Sequence, residues 1–185
     1  MRVKSILILL AVFWFAHIHA DFAEDGLKKH NEYRKMHGVP ALKLDSDITK
    51  GCESYAQTLA ELGKLEHSKS EDRPGLGENL AYTYSDPLSV VKMWYDEISK
   101  YDFKKPGFNM ETGHFTQVVW KASTHLGMGK ATDKLGRIWV VGRYKPPGNF
   151  KGQFEENVPR RNYGNSIICS TSLGFAALTL ILVLN

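Results

Sequence analysis

Gly113-His-Phe-Thr-Gln-Val-Val-Trp-Lys-Ala-Ser123 is the stretch on which the reading of this chain turns. Its first part, from Thr112 to Trp120, reads as a short helix that carries His114 and Gln117. Downstream, Leu126–Ala131 and Ile138–Tyr144 are apolar segments separated by Asp133-Lys-Leu-Gly136, a hairpin signal. Pro146-Pro147-Gly148 ends the hairpin. Upstream, Asp86-Pro87 opens a helix whose stripe is Val91, Trp94, Tyr95 and Ile98. Further back, residues 66–80 are punctuated by Pro74, Gly75 and Gly77 and read as a loop. Asp45 caps a helix running to Leu62, and Gly63 ends it. Ile48, Cys52, Tyr55, Ala56, Leu59 and Leu62 recur on one face, so Cys52 is expected as a buried free thiol. Phe22 to His37 is rich in helix formers and is stopped by Gly38 and Pro40. Helices first and strands later, in one domain, predict an α+β layered fold.

The two ends read differently from this middle. Residues 1–20 run from a positive start through an apolar Ser5–Ala16 segment to Ala20, the layout of a secretory signal peptide. The apolar run is too short to span a bilayer, which needs about 20 residues. Leu173–Leu184 is a nearly unbroken apolar run that stops at Asn185 with no Lys or Arg after it. That pattern resembles a glycolipid-anchor signal, with attachment expected near Asn162–Ser166. A retained membrane tail, with Cys169 available for acylation, is the rival, and a freely secreted form the third possibility. The expected organisation is therefore a signal peptide at 1–20, a domain at 21–160, a linker with the attachment site at 161–166, and an apolar tail at 167–185. The expected location is the secretory pathway and the outer face of the plasma membrane, an oxidising setting.

Composition narrows the function. The chain has 185 residues, 43% hydrophobic and 24% charged, as ordinary globular proteins do. Without residues 1–20 the balance is 22 basic against 20 acidic, unclustered, which argues against nucleic acid as a partner. Two cysteines exclude a disulfide scaffold and a thiolate zinc finger. Five histidines follow residue 20. His30 and His37 sit on a charged helix and are expected in solvent, and His125 has no partner signal. His67 precedes the Gly-Pro loop and His114 lies in the opening stretch. Their spacing matches no short metal motif, and there is no G-x-S-x-G elbow or P-loop. The residues alone specify no reaction.

Residues 113–123 nevertheless resemble, position by position, the first signature of the CAP superfamily (cysteine-rich secretory, antigen 5 and plant pathogenesis-related proteins; the SCP domain). His30-Asn31 with Arg34, Leu65 with His67-Ser68, Gly77-Glu-Asn-Leu80 and Trp94-Tyr with Glu97 follow in the family's order. Tyr144-Lys-Pro-Pro-Gly-Asn149 is similar to the second signature, with Gly142 standing where that signature usually has Cys. Tyr101-Asp-Phe, Pro106-Gly-Phe108 and Phe154-Glu-Glu-Asn157 look closest to the Golgi-associated plant pathogenesis-related subgroup. That subgroup usually lacks a signal peptide, so its cytoplasmic location does not carry over.

The resemblance implies a three-layer α-β-α sandwich with a small antiparallel sheet. It also implies a cleft holding His67, Glu78, Glu97 and His114, with Asn79 and Gln117 as supporting polar groups. The two imidazoles are the candidate ligands for zinc or another divalent cation; no cofactor is required otherwise. The function implied is non-enzymatic and extracellular: binding of a lipid, a sterol or a protein partner. A metal-dependent hydrolase using the same four residues is the alternative. A serine hydrolase on Ser68 or Ser85 is a weaker one, and a self-associating surface protein is a third.

Overall fold

The computed structural model describes residues 22–162. The signal-peptide, glycolipid-attachment and apolar-tail expectations, and Cys169, lie outside or at the edge of those residues. Helix α1 spans 22–36 and closes on Gly38, whose φ is 66°. Strand β1 is Lys43–Leu44, followed by helix α2, Ser46–Leu62. Asp45 caps α2 by accepting the Asp47 and Ile48 amides, and Gly63 ends it in a left-handed conformation, φ 67°. Strand β2 is Gly77–Thr83 and helix α3 is Ser89–Asp96, continued by a 3-10 turn at Glu97–Lys100. Helix α4 is Gly113–Val119. Strands β3, His125–Thr132, and β4, Ile138–Lys145, form the expected hairpin, and α5 is Phe154–Asn157.

The sheet order is β1-β3-β4-β2. Three strands are antiparallel neighbours, but β1 lies parallel to β3 through Lys43 and Leu44, so the sheet is mixed rather than wholly antiparallel. Segment 66–80 is not all loop either, because β2 starts at Gly77. Its partner, β4, is remote in sequence, and Gly77 faces Tyr144 across the ladder.

Alternation along the strands sorts the core into two faces. Trp139 and Val141 on β4, with Leu80 on β2, pack against Ile48, Cys52, Ala56 and Leu59 of α2. Val140 and Tyr144, with Ala81, pack against Trp94, Phe115, Val118 and Trp120 from the other helices. Helices therefore cover both faces, and Trp94, Trp120 and Trp139 are all buried. On β3, a Cβ at Gly127 would strike the Ile48–Thr49 backbone of α2, and one at Gly129 the Cys52–Glu53 backbone. Glycine at both positions lets helix and sheet meet backbone to backbone. Cys52 is buried as expected, its thiol donating to the Gly127 carbonyl at 3.3 Å, and burial pushes its pKa up to about 12.

The expectation that His30 and His37 face solvent is wrong: both are buried. His30 Nδ1 donates to Gly26 O at 2.7 Å, a contact only an N–H can make, so Nε2 accepts from the Tyr144 hydroxyl at 2.8 Å. Burial lowers its pKa to about 4. His37 repeats the scheme, donating to Pro159 O and accepting from the Tyr95 hydroxyl. Arg34 lies between them in sequence and is also buried; it donates to the carbonyls of Pro40, Val118, Trp120 and Ser123. The buried face of α1 thus mixes apolar Phe22, Ala23 and Tyr33 with His30, Arg34 and His37, and Arg34 ties it to the Val118–Ser123 end of the opening stretch.

Candidate functional site

Each of the four residues expected in the cleft is half of a histidine–carboxylate couple; His67 and Glu78 line an open cleft, and His114 and Glu97 are not among its lining residues. In the first, Glu78 Oε1 accepts from His67 Nδ1 at 2.9 Å. Glu78 lies at the start of β2, opposite Arg143 of β4, on the sheet face that α2 covers. Its side chain is fully buried, while that of His67 is 59% exposed. Burial alone would raise the Glu78 pKa. Hydrogen bonds from His67 and from the Ser68 hydroxyl and amide, with the Arg143 guanidinium, outweigh it and hold the pKa down at about 2.

In the second couple, Glu97 Oε1 accepts from His114 Nδ1 at 2.6 Å. Glu97 Oε2 accepts the backbone N–H groups of His114 and Phe115, at 3.0 and 3.1 Å, and so closes the first turn of α4. The Trp94 indole stacks on the His114 ring, with centroids 6.2 Å apart. Trp94 and Glu97 come from one continuous helical segment, three residues apart, so a single element sets both the plane and the hydrogen bond of His114.

Asn79 and Gln117 bridge the parts. Adjacent residues of a strand face opposite ways, so Asn79 points to the sheet face away from Glu78. There its Nδ2 donates to His114 O at 3.1 Å and to the Tyr144 hydroxyl at 3.2 Å. The Tyr144 hydroxyl in turn donates to His30 Nε2. Gln117 is buried; its Oε1 accepts the Gly148 amide and its Nε2 donates to Ser123 Oγ. Asn149 accepts from Thr116 Oγ1 and donates to Gly113 O. The two couples thus approach the start of β2 from opposite faces of the sheet. His67, Glu78, Gln117 and Asn149 line one open cleft with Arg73, Gly148 and Phe150.

Carboxylates that only accept fix both imidazoles as Nδ1–H tautomers in their neutral form. Each Nε2 then keeps a lone pair with no hydrogen-bond donor among the described residues. The glutamates orient the rings instead of offering themselves as ligands. No three His, Cys, Asp or Glu side chains among the described residues are grouped to hold a metal ion. Two imidazoles fall short of the three or four protein ligands usual for zinc.

The hydrolase alternatives find no support. Ser68 donates its hydroxyl to Glu78 at 2.7 Å and receives Arg143 Nη2 at 3.1 Å, so no imidazole is positioned to take its proton. Ser85 pairs with Thr83 in an exposed turn. Sequence reasoning did not single out Arg143, Tyr144 or His30 as supports of the site. The signal available for Arg143 was its place two residues after Val141 on an alternating strand, a charge on a core-facing position.

Comparison with known proteins places these features in context. The family described as CAP, the cysteine-rich secretory protein family, matches residues 27–144. The chain is 45% identical over 141 residues to Golgi-associated plant pathogenesis-related protein 1 of Homo sapiens, covering 74% of this chain and 92% of that one. It is 35% identical over 137 residues to secreted protein RBT4 of Candida albicans, covering 71% of this chain and 36% of the relative. The chain spans about half or less of several fungal relatives. Among solved structures, NaASP2, crystallised with Zn2+, superposes with a TM-score of 0.56 at 22% identity, over 75% of this chain and 84% of that one.

Proposed function

The chain belongs to the CAP, or cysteine-rich secretory protein, family, and from that premise we propose that it is a non-enzymatic binding module acting outside the cell. Its cleft takes the polar head of an amphipathic ligand, a lipid or sterol. His67 and His114 present their Nε2 lone pairs to it, and Glu78, Glu97, Asn79 and Gln117 hold them in place. One observation carries this reading: each imidazole is bound through Nδ1 to an orienting carboxylate, and neither meets a hydroxyl nucleophile. Where a zinc or other divalent cation is bound, it supplies Lewis acidity and a charge that draws an anionic head group. The two Nε2 atoms would hold it.

Secretion is supported by the signal-like residues 1–20 and by relatives whose names describe them as secreted. We place the mature domain on the outer face of the plasma membrane, held by a glycolipid near Asn162–Ser166 that replaces Leu173–Leu184. Phosphatidylinositol-specific phospholipase C releases such a form from intact cells. Protein that stays on the membrane with its Leu173–Leu184 peptide intact overturns the glycolipid in favour of a retained tail.

The binding reading is tested with Glu97→Gln in the full chain, using radiolabelled cholesterol and a fatty acid as probes. Losing the charged acceptor of His114 costs about 1.5–3 kcal/mol, a tenfold or greater loss of affinity. Unchanged affinity for both probes, or binding by neither in the parent protein, overturns it.

A further inference from the structure

The described chain leaves the domain through Val158-Pro159-Arg160-Arg161-Asn162, and this exit changes character halfway. Its first part is locked to the core. Asn157 and Val158 are buried, Val158 N–H donates to Phe154 O at 2.9 Å, and Pro159 O accepts from His37 Nδ1 at 2.7 Å. Its second part lies on the surface. Arg160, Arg161 and Asn162 are exposed and belong to no helix or strand. Pro159, without an N–H, keeps α5 from extending through them. Asn162 N–H donates to Met36 O at 2.8 Å, and the Arg160 guanidinium sits 5.1 Å from the centre of the Phe103 ring. Lifting these two surface contacts leaves the core as it is.

Adjacent basic residues occur at Lys28-Lys29, Arg34-Lys35, Lys104-Lys105 and Arg160-Arg161 among the described residues. An endoprotease takes its substrate as an exposed, extended strand, and that requirement separates the pairs. The first two lie inside α1, where the backbone is committed to helix, and Arg34 is buried. Lys104-Lys105 is in an exposed turn, but the next residue is Pro106, so the bond after the pair is a tertiary amide with no N–H and a ring on its leaving side. Arg160-Arg161 alone of these pairs combines exposure, irregular backbone and a following residue, Asn162, with an ordinary N–H. It also stands at the one point where a cut spares the whole domain: Val158 and the His37–Pro159 bond lie before it, and the apolar run Leu173–Leu184 after it.

We propose that the Arg161–Asn162 bond is a processing site for a serine endoprotease of the secretory pathway that reads paired basic residues, and that the cut frees the folded domain from its tether. The two guanidiniums fill acidic pockets of such an enzyme, where carboxylates bind them in charge-assisted pairs. Water is the co-substrate. The C–N bond between Arg161 and Asn162 breaks, the water oxygen stays on Arg161 as part of a carboxylate, and the two water protons end on the Asn162 nitrogen as part of an ammonium group. The consequence rests on the reading that the chain after Arg161 holds the protein to the membrane. A glycolipid at Asn162–Ser166 and a retained tail both lie beyond the cut, so it serves either. It turns a membrane-held binding module into a diffusible one with its cleft unchanged.

The test reads the C-terminus of the protein as cells make it. The full chain, with an epitope inserted after Asp21, is expressed in cultured animal cells, and the cell-bound and medium forms are characterised by mass spectrometry. The expected medium form ends at Arg161, or at Pro159 once a carboxypeptidase has removed the basic residues. Arg160→Gln with Arg161→Gln, both on the surface, lowers the released form about tenfold or more, because the acidic pockets of the protease are left unpaired. Lys104→Gln with Lys105→Gln leaves release at the parental level. A peptidyl chloromethyl ketone directed at paired-basic proteases reproduces the arginine variant on the unaltered chain, which separates loss of the cut from loss of folding. Medium protein ending elsewhere, equal release from the parent and the arginine variant, or no chain ending at Arg161 or Pro159 in either fraction overturns the proposal. Uncut chain free in the medium overturns the tether instead, while a terminus at Arg161 still reports the cut, so the two readings fail separately.

Discussion

Arg143→Met is the substitution that most sharply probes how the cleft is held. The Arg143 and Glu78 side chains are 6% and 0% exposed, with Nε donating to Oε2 at 2.9 Å. Arg143 Nη1 and Nη2 also donate to Gly51 O and Ser68 Oγ, at 3.3 and 3.1 Å. Methionine keeps much of the volume but leaves Glu78 a buried carboxylate with only His67 and Ser68 as donors and Arg73 at 3.7 Å. Breaking one side of a buried pair costs about 3–5 kcal/mol, against a total stability of about 5–15 kcal/mol. Replacing both partners, Glu78→Gln with Arg143→Met, removes the stranded charge and restores most of the loss. The pH dependence has a definite sign. Glu78 is held at about 2, below its ordinary 4.5, so its stabilisation is complete above pH 4.5 and is lost as pH falls towards 2. In Arg143→Met that window shifts to higher pH. Equilibrium urea unfolding followed by tryptophan fluorescence, at pH 7 and in steps from 5 to 2, reads both effects. A single variant costing under about 1 kcal/mol, or a double variant as unstable as the single, would refute the reasoning.

Two further outcomes follow from the packing. His30, buried neutral at a pKa of about 4 against 6.5, contributes stability that is full above pH 6.5 and lost by about 3 kcal/mol as pH falls to 4, at 1.36 kcal/mol per pKa unit; His30→Gln abolishes that step in a urea series across the window. Gly129→Ala sets a methyl against the Cys52–Glu53 backbone and destabilises by about 3 kcal/mol or more in thermal unfolding, whereas Gly107→Ala, with only the Lys105 carbonyl at 4.0 Å, changes stability by under about 0.5 kcal/mol.

What was legible in the sequence was what local chemistry determines. The α2 caps at Asp45 and Gly63, the β3–β4 hairpin around Asp133–Gly136 and the burial of Cys52 all rest on neighbours within a few residues. The resemblance carried by residues 113–123 supplied the layered fold. Strand β2 escaped because its partner is remote in sequence and its first residues sit beside glycine and proline punctuation. Strand β1, two residues long, has no period to detect. His30, Arg34 and His37 were misjudged for a physical reason. They share the buried face of α1 with Phe22, Ala23 and Tyr33, but their partners are carbonyls and hydroxyls remote in sequence, which residue type and spacing do not reveal. In the site, the sequence offered four residue types but not their pairing. Only the fold reveals that each carboxylate takes an Nδ1 and that Arg143 and Ser68 complete Glu78.

The central proposal is that His67 and His114, each with Nδ1 donating to its glutamate, turn their Nε2 atoms towards one ligand. Long-range 1H–15N correlation spectra of the histidine-labelled protein at pH 7.5, with zinc as the probe, test it most directly. The account predicts that both rings show a protonated Nδ1 and a bare Nε2. It also predicts that zinc shifts both Nε2 resonances together at one ion per chain, while His30 stays fixed. An Nε2–H tautomer at either ring, or zinc shifting one ring and leaving the other unmoved, would contradict it.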